Sequence, residues 1–344
     1  MLRVPDAELP QLHPDRARLA AITARLGVPA GALRLLGSMS DYVAYGQATR
    51  PQVRDAKRQQ ALTDRFLAPV LGGLEALFLH VRAELDPALR AAQPFRGEAA
   101  YPLGQCLEIT VAVQRRLAGL DPAALPAAAA TALAALRAFT MAGGEVRRAW
   151  GDLRGRYFQN ALLVGVLYVD VANDTVVVTK PKVEILPLAA ADFRPIADYG
   201  HYARIAGAYW RRRSLPNHVV PGLAPYLPLI EVAANGGLRL GPVDPYMLSL
   251  TVGGGFAPSA RALEAAPLPD EVFSGLRAML RDGPFDVAAD PATGRLAALA
   301  ACGQADPDCG DAFNRALALV GEANRRLARG RLVERQVGAP AEVG

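Results

Sequence analysis

Apolar residues recur every three or four positions through most of the first 145 residues, then gather into nearly continuous runs after Tyr157. A period near 3.6 marks helices that bury one stripe, whereas short β-branched runs between turn residues mark strands. Leu19, Ile22 and Leu26 predict a helix over 14–26, stopped by Gly27. Leu62, Phe66, Val70, Leu74, Leu77 and Val81 predict a long helix over 54–85, with a break at Gly72-Gly73. Ile109, Val113 and Leu117 predict another, opened by the Pro/Gly turn from Tyr101 to Gln105. Pro126 starts an alanine-rich helix that ends at Gly143-Gly144.

Three β-branched runs follow, over 161–171, 175–179 and 183–188. Ala172-Asn173-Asp174 separates the first two, and Pro181 the second and third. This spacing predicts a small antiparallel β-meander centred on 157–188, with a further short strand at 247–252 ahead of a Gly253-Gly254-Gly255 loop. A helical pattern returns over 190–213, a Pro-rich irregular stretch covers 216–245, and helices are expected over 270–281 and 311–335. The fold class expected is therefore α+β, because strands do not alternate with helices as a doubly wound parallel sheet requires. The expected division is a helical region 1–145, a sheet region with its following helix and loops 146–260, C-terminal helices 261–335 and a tail 336–344, all in one compact unit.

Composition narrows the class. The chain has 344 residues, 51% of them hydrophobic and 21% charged, enough to bury a full core. Its basic residues are almost all arginine, with Lys57, Lys180 and Lys182 the only lysines. Together with the many Ala, Gly and Pro residues, this is the usage of a GC-rich bacterial genome. A net charge of +5 is small for this length and does not imply nucleic acid, which calls for a concentrated basic face. The first ten residues lack the apolar core of a signal peptide, and no uninterrupted apolar run reaches the ~18 residues of a membrane helix. Three cysteines suit a reducing cytoplasm better than a disulfide scaffold. Cys302 and Cys309 flank a loop that an oxidant would let them bridge; two ordinary thiols are the simpler reading.

The candidate chemistry centres on Cys106. It stands in Leu103-Gly-Gln-Cys106-Leu-Glu-Ile-Thr110, at the start of a predicted helix, where the macrodipole lowers a thiol pKa. Some fifty residues on, Asn160-Ala-Leu-Leu-Val-Gly-Val-Leu-Tyr-Val-Asp170-Val carries a carboxylate inside an apolar run. Such a carboxylate must be paired or face a cleft. Over residues 100–175, these two segments resemble the papain-like and transglutaminase-like thiol enzymes, arylamine N-acetyltransferases among them. The resemblance implies Cys106 as nucleophile and Asp170 as the carboxylate that orients a histidine. Gln159 or Asn160 occupies the histidine position, and no histidine lies between His80 and His201. His201 is then the residue left to act as base. Gln105, Tyr157, Gln159 and Asn160 would line the cleft beside the thiol. His80, between Leu79 and Val81, reads as a structural histidine.

Other features have plainer readings. Asn173 and Asp174 suit a hairpin turn. Oxygen ligation of a metal by Asp170 and Asp174, with His201, is the alternative. Lys180 and Lys182 suit a solvated hairpin edge. His201-Tyr202, Tyr209-Trp210-Arg211-Arg212-Arg213 and Asn217-His218 form an aromatic–basic cluster able to take phosphate or an acidic partner. The function expected is cytoplasmic acyl or amide chemistry through a cysteine thiol, or a binding-only descendant of such an enzyme. A peptide- or protein-binding module and a metal-dependent enzyme are the alternatives. A small-molecule or peptide partner is expected, and no cofactor, nucleic acid or membrane.

Overall fold

The computed structural model describes residues 39–306 and 310–332. The helix expected over 14–26, Cys309 and the tail lie outside these residues. The fold is α+β, with helices at both ends and antiparallel sheets between them. Contacts gather the chain into two units that meet between Pro195 and Ile196, a boundary the sequence reading did not mark. Among the described residues the first unit comprises Ala48–Pro195, and the second comprises 39–47 and those from Ile196 onward.

A two-residue ladder joins β1 (Phe95–Arg96) to β2 (Ala99–Ala100) in the first unit. Its main sheet holds β3 (Val146–Leu153), β4 (Tyr157–Val164), β5 (Leu167–Asp170), β6 (Glu184–Pro187) and β7 (Phe193–Arg194), in the order β6-β5-β4-β3-β7. The helices Leu71–Ala92, Cys106–Ala118 and Ala127–Met141 cover one face. Leu74, Leu77, Phe78, Ile109, Val113, Leu133 and Phe139 pack there with Leu162, Val164, Val169 and Val171. On the other face Ala161, Leu163 and Tyr168 meet Ala191 and Phe193. Both faces of β4 and β5 are thus buried, which explains why 161–171 reads as a continuous apolar run.

That run is two strands and not one. Val164 pairs with Leu167 across the two-residue turn Gly165-Val166. Gly165 has φ +61°, and a Cβ there would lie 2.2 Å from Thr63 Oγ1, so the hairpin requires glycine. The strand expected over 175–179 is absent. Asn173–Thr175 forms a 3-10 turn in which Thr175 Oγ1 donates to the Ala172 carbonyl at 2.6 Å, and Val177 and Val178 are exposed. Local hydrogen bonding from Thr and Asn side chains outweighed β-branched propensity there.

The long N-terminal helix breaks earlier than Gly72-Gly73. Ala56–Leu62 passes through a π turn at Thr63–Leu67 and a 3-10 turn at Ala68–Val70 before Leu71–Ala92 begins. Pro69, which has no N–H to donate, accounts for the position. Ala56–Ala92 is the one helix among the described residues long and apolar enough to cross a membrane. Its mean hydropathy is high although polar residues interrupt its apolar runs. A core helix has the same length and apolarity, and Leu74, Leu77, Phe78 and Val81 are buried in this core.

In the second unit, β8 (Arg213–Pro216), β9 (Leu229–Val232) and β10 (Leu238–Gly241) form an antiparallel sheet in the order β10-β9-β8. β9 and β10 occupy the stretch expected to be irregular, and β8 begins at Arg213, the end of the stretch expected to be helical. Their prolines fall at or beyond strand ends, where no ladder N–H is needed. Residues 247–252 are helical, within Pro245–Gly253. Asp244 caps this helix by accepting from the backbone N–H groups of Tyr246 and Met247, and Pro245 fills its first position. Burial on nearly every side removed the helical period from that short segment. The helical pattern read over 190–213 resolves into Leu188–Ala191 and Tyr199–Trp210, and the C-terminal helices are Asp270–Leu280, Pro291–Gln304 and Gly310–Leu327. Tyr226, Phe256 and Phe313 meet edge-on in this unit's core.

Candidate functional site

The Tyr101–Gln105 turn delivers Cys106 to the first position of the helix Cys106–Ala118. Gly104 N–H donates to the Thr175 carbonyl at 2.9 Å, and Thr110, one turn on, donates through Oγ1 to the Asn160 carbonyl at 3.1 Å. The helix start is therefore pinned against β4. Cys106 is buried, and Asn160 Nδ2 stands 3.5 Å from its sulfur, the reach of a weak N–H···S hydrogen bond. Burial pushes the thiol pKa up. The Asn160 hydrogen bonds oppose the rise without cancelling it, and the charges of Glu108 and Asp170 add to it. The helix-terminus lowering expected from position alone is outweighed by desolvation.

Asp170 is fully buried with its own partners. Gln159 Nε2 donates to Oδ2 at 2.7 Å, Tyr168 OH donates to Oδ2 at 2.8 Å, and the Ala172 N–H donates to Oδ1 at 2.8 Å. Burial raises this carboxyl to about 6 despite those three donors, and the Glu184 charge adds to the rise. Gln159 also donates to the Ala172 carbonyl at 3.2 Å.

The sheet separates these two groups. β4 is paired with β3 in unbroken register from Tyr157 to Val164, so neighbouring side chains point to opposite faces. Asn160 shares the helix-covered face with Leu162, Val164 and Cys106. Gln159 shares the other face with Ala161, Leu163, Tyr168 and Asp170. The structure thus brings Cys106 to Asn160, and Gln159 to Asp170, as two pairs on two sides of one strand. In the thiol-enzyme arrangement a single side chain touches both sulfur and acid. Here that role is divided between two adjacent amides, neither of them a base.

The remaining predicted residues have other partners. Gln105 is buried and donates Nε2 to the Gln93 carbonyl at 2.9 Å. The Tyr157 ring lies 5.2 Å from Lys180 Nζ. His201 belongs to the second unit, in the first turn of Tyr199–Trp210, where its Nδ1 accepts from the Ala197 N–H at 3.2 Å. Asn217 and His218 are buried, Asn217 donating to the Leu227 carbonyl at 3.0 Å and His218 Nε2 lying 3.0 Å from the Leu263 carbonyl. They are therefore not part of an exposed aromatic–basic face. Cys302 is a free thiol.

Asp174 belongs to a network that the sequence reading missed. Arg82, fully buried, donates Nη1 and Nη2 to the two Asp174 oxygens at 3.1 Å each, Nε to Asp86 Oδ1 at 2.9 Å, and Nη1 to the Val171 carbonyl. Tyr101 OH donates to Asp86 Oδ1 at 2.7 Å, and Lys182 Nζ pairs with Asp86 Oδ2. Burial alone would raise the Asp86 carboxyl, but bonds from Lys182, Tyr101 and Arg82 hold it below the usual carboxylate range. Asp174 is thus the bidentate partner of a buried arginine and not a turn cap, and Lys182, exposed as expected, also pairs with Asp86. The signal was present in the sequence. Arg82 follows Phe78 by four and precedes Asp86 by four, so a charge falls on the apolar stripe. With Asp170 and Asp174 so engaged, the oxygen-ligand metal reading loses its donors, and among the described residues no three His, Cys, Asp or Glu side chains gather as a metal group.

Comparison of the chain with protein-family models, with curated proteins and with solved structures finds no match.

Proposed function

We propose that the protein acts by binding and not by covalent thiol catalysis, as a cytoplasmic, binding-only variant of the cysteine-on-helix arrangement. The observation that carries this reading is the amide of Asn160 at 3.5 Å from the Cys106 sulfur, where a thiol enzyme needs a base. Two further facts support it. The thiol pKa is raised by burial, so little thiolate exists near neutral pH, and the acid lies across β4 from the sulfur. On this reading Cys106 and Asn160 fix the helix to the sheet, and the Arg82–Asp174 pair fixes the loop after β5. The test is incubation with an activated acyl ester such as p-nitrophenyl acetate, followed by peptide mass spectrometry. No acyl adduct on Cys106 is expected. An acyl-thioester at Cys106 that turns over would establish catalysis and overturn the reading.

A further inference from the structure

The second unit holds an arginine-lined cavity that the thiol centre does not involve. Its volume is about 280 Å³, and Arg212, Glu231, Arg239 and Arg331 line it with Gly237 and Leu238. The three arginines come from three separate segments. Arg212 follows the helix Tyr199–Trp210, which ends at Arg211 in the left-handed region, and its guanidinium lies 4.8 Å from the Trp210 ring centre. Arg239 stands on β10 opposite Glu231 on β9. Arg331 lies beyond the helix Gly310–Leu327, and its Nη1 donates to the Gly330 and Ala328 carbonyls at 3.2 and 3.5 Å.

Glu231 organises the cavity. It is almost wholly buried, accepts from Tyr202 OH at 2.9 Å and from Arg239 Nε, and lies 3.6 Å from Arg212. A Cβ at Gly241 would sit 2.4 Å from Glu231 Oε2, so glycine there makes room for the carboxylate. Beside it in register on β8 is Ser214, whose buried hydroxyl has no hydrogen-bond partner among the described residues. Three guanidinium groups against one carboxylate leave two positive charges in a small space. Arg331 adds a fork whose bonds among the described residues go to neutral carbonyls.

We infer that this cavity binds a phosphate group, as inorganic phosphate or a small phosphate monoester. The charge fits a dianion, and guanidinium forks match phosphate oxygens in pairs. The volume lies at or below the ~300 Å³ floor of ordinary ligand pockets, which suits a small anion and not a polymer. Glu231 holds Arg239 and Arg212 before the ligand arrives, which lowers the ordering cost of binding.

Calorimetric titration of the full chain tests this, with inorganic phosphate and glycerol 3-phosphate in separate arms and acetate as a monoanion at matched ionic strength. Saturable binding of at least one phosphate is expected, and the tighter arm identifies the source. Arg331→Gln and Arg212→Gln should each weaken it about tenfold or more. Arg331→Gln should leave the phosphate-free melting temperature unchanged, which separates loss of site from loss of fold. No saturable binding, equal binding of acetate, or affinity untouched by both substitutions would overturn the inference.

Discussion

Asn160 offers its side-chain amide to the Cys106 sulfur at 3.5 Å, while its neighbour Gln159 reaches Asp170 on the opposite face of the same strand. A shift of one residue in β4 would exchange which amide meets which group and would still leave sulfur and acid on opposite faces, because strand side chains alternate. The division of roles between Gln159 and Asn160 therefore follows from register and not from any distortion.

Asp174→Ala should destabilise the protein more than Asp170→Ala. Removing Asp174 strands the buried Arg82 guanidinium, a change of about 3–5 kcal/mol. Removing Asp170 unpairs Gln159 and Tyr168, which are neutral donors, at about 1–3 kcal/mol. Denaturant melts of both variants check the order. The turn reading of Asp174 from the sequence predicts the reverse.

Asp170 should also make stability depend on pH between about 4 and 6. The folded carboxyl titrates at about 6, whereas an unfolded aspartate titrates near 3.9. Within that window the folded state holds more protons, so stability falls as pH rises and the loss is complete above the folded value. Asp170→Asn should flatten this slope. The measurement is the difference between wild-type and variant melting temperatures from pH 4 to 7.

Gly165→Ala should cost roughly 1–3 kcal/mol, because alanine must adopt φ +61° and its Cβ meets Thr63 Oγ1 at 2.2 Å. Pairing the change with Thr63→Ala should recover the part due to collision and leave the part due to backbone strain. Melts of the two single variants and the double variant separate them.

The fold class was legible because long helices and a β-rich centre leave strong periodic signals, as in the stripe Leu74, Leu77 and Val81. Residues 247–252 were not, since total burial erases the period, and Asp244-Pro245 was the cue that a helix began there. The pairing of Asp170 with Gln159 follows from alternation once β4 and β5 are known as a hairpin. The Arg82–Asp174 pair spans 92 residues, and nothing local sets it. The arginine cavity is similar, since Arg239 and Arg331 are ordinary charges until β10 and the chain after Gly310–Leu327 place them beside Arg212.

The most direct test of the central claim is the alkylation rate of Cys106 from pH 5 to 9, resolved by peptide mass spectrometry, in wild type and His201→Ala. A thiol whose pKa is raised by burial and whose neighbour is an amide should stay unreactive through pH 8 in the folded protein. The two proteins should give the same profile, and denaturation should expose the thiol in both. A Cys106 thiolate that reacts below pH 7 in wild type, and is lost in His201→Ala, would contradict the account and make His201 the base of a working thiol enzyme.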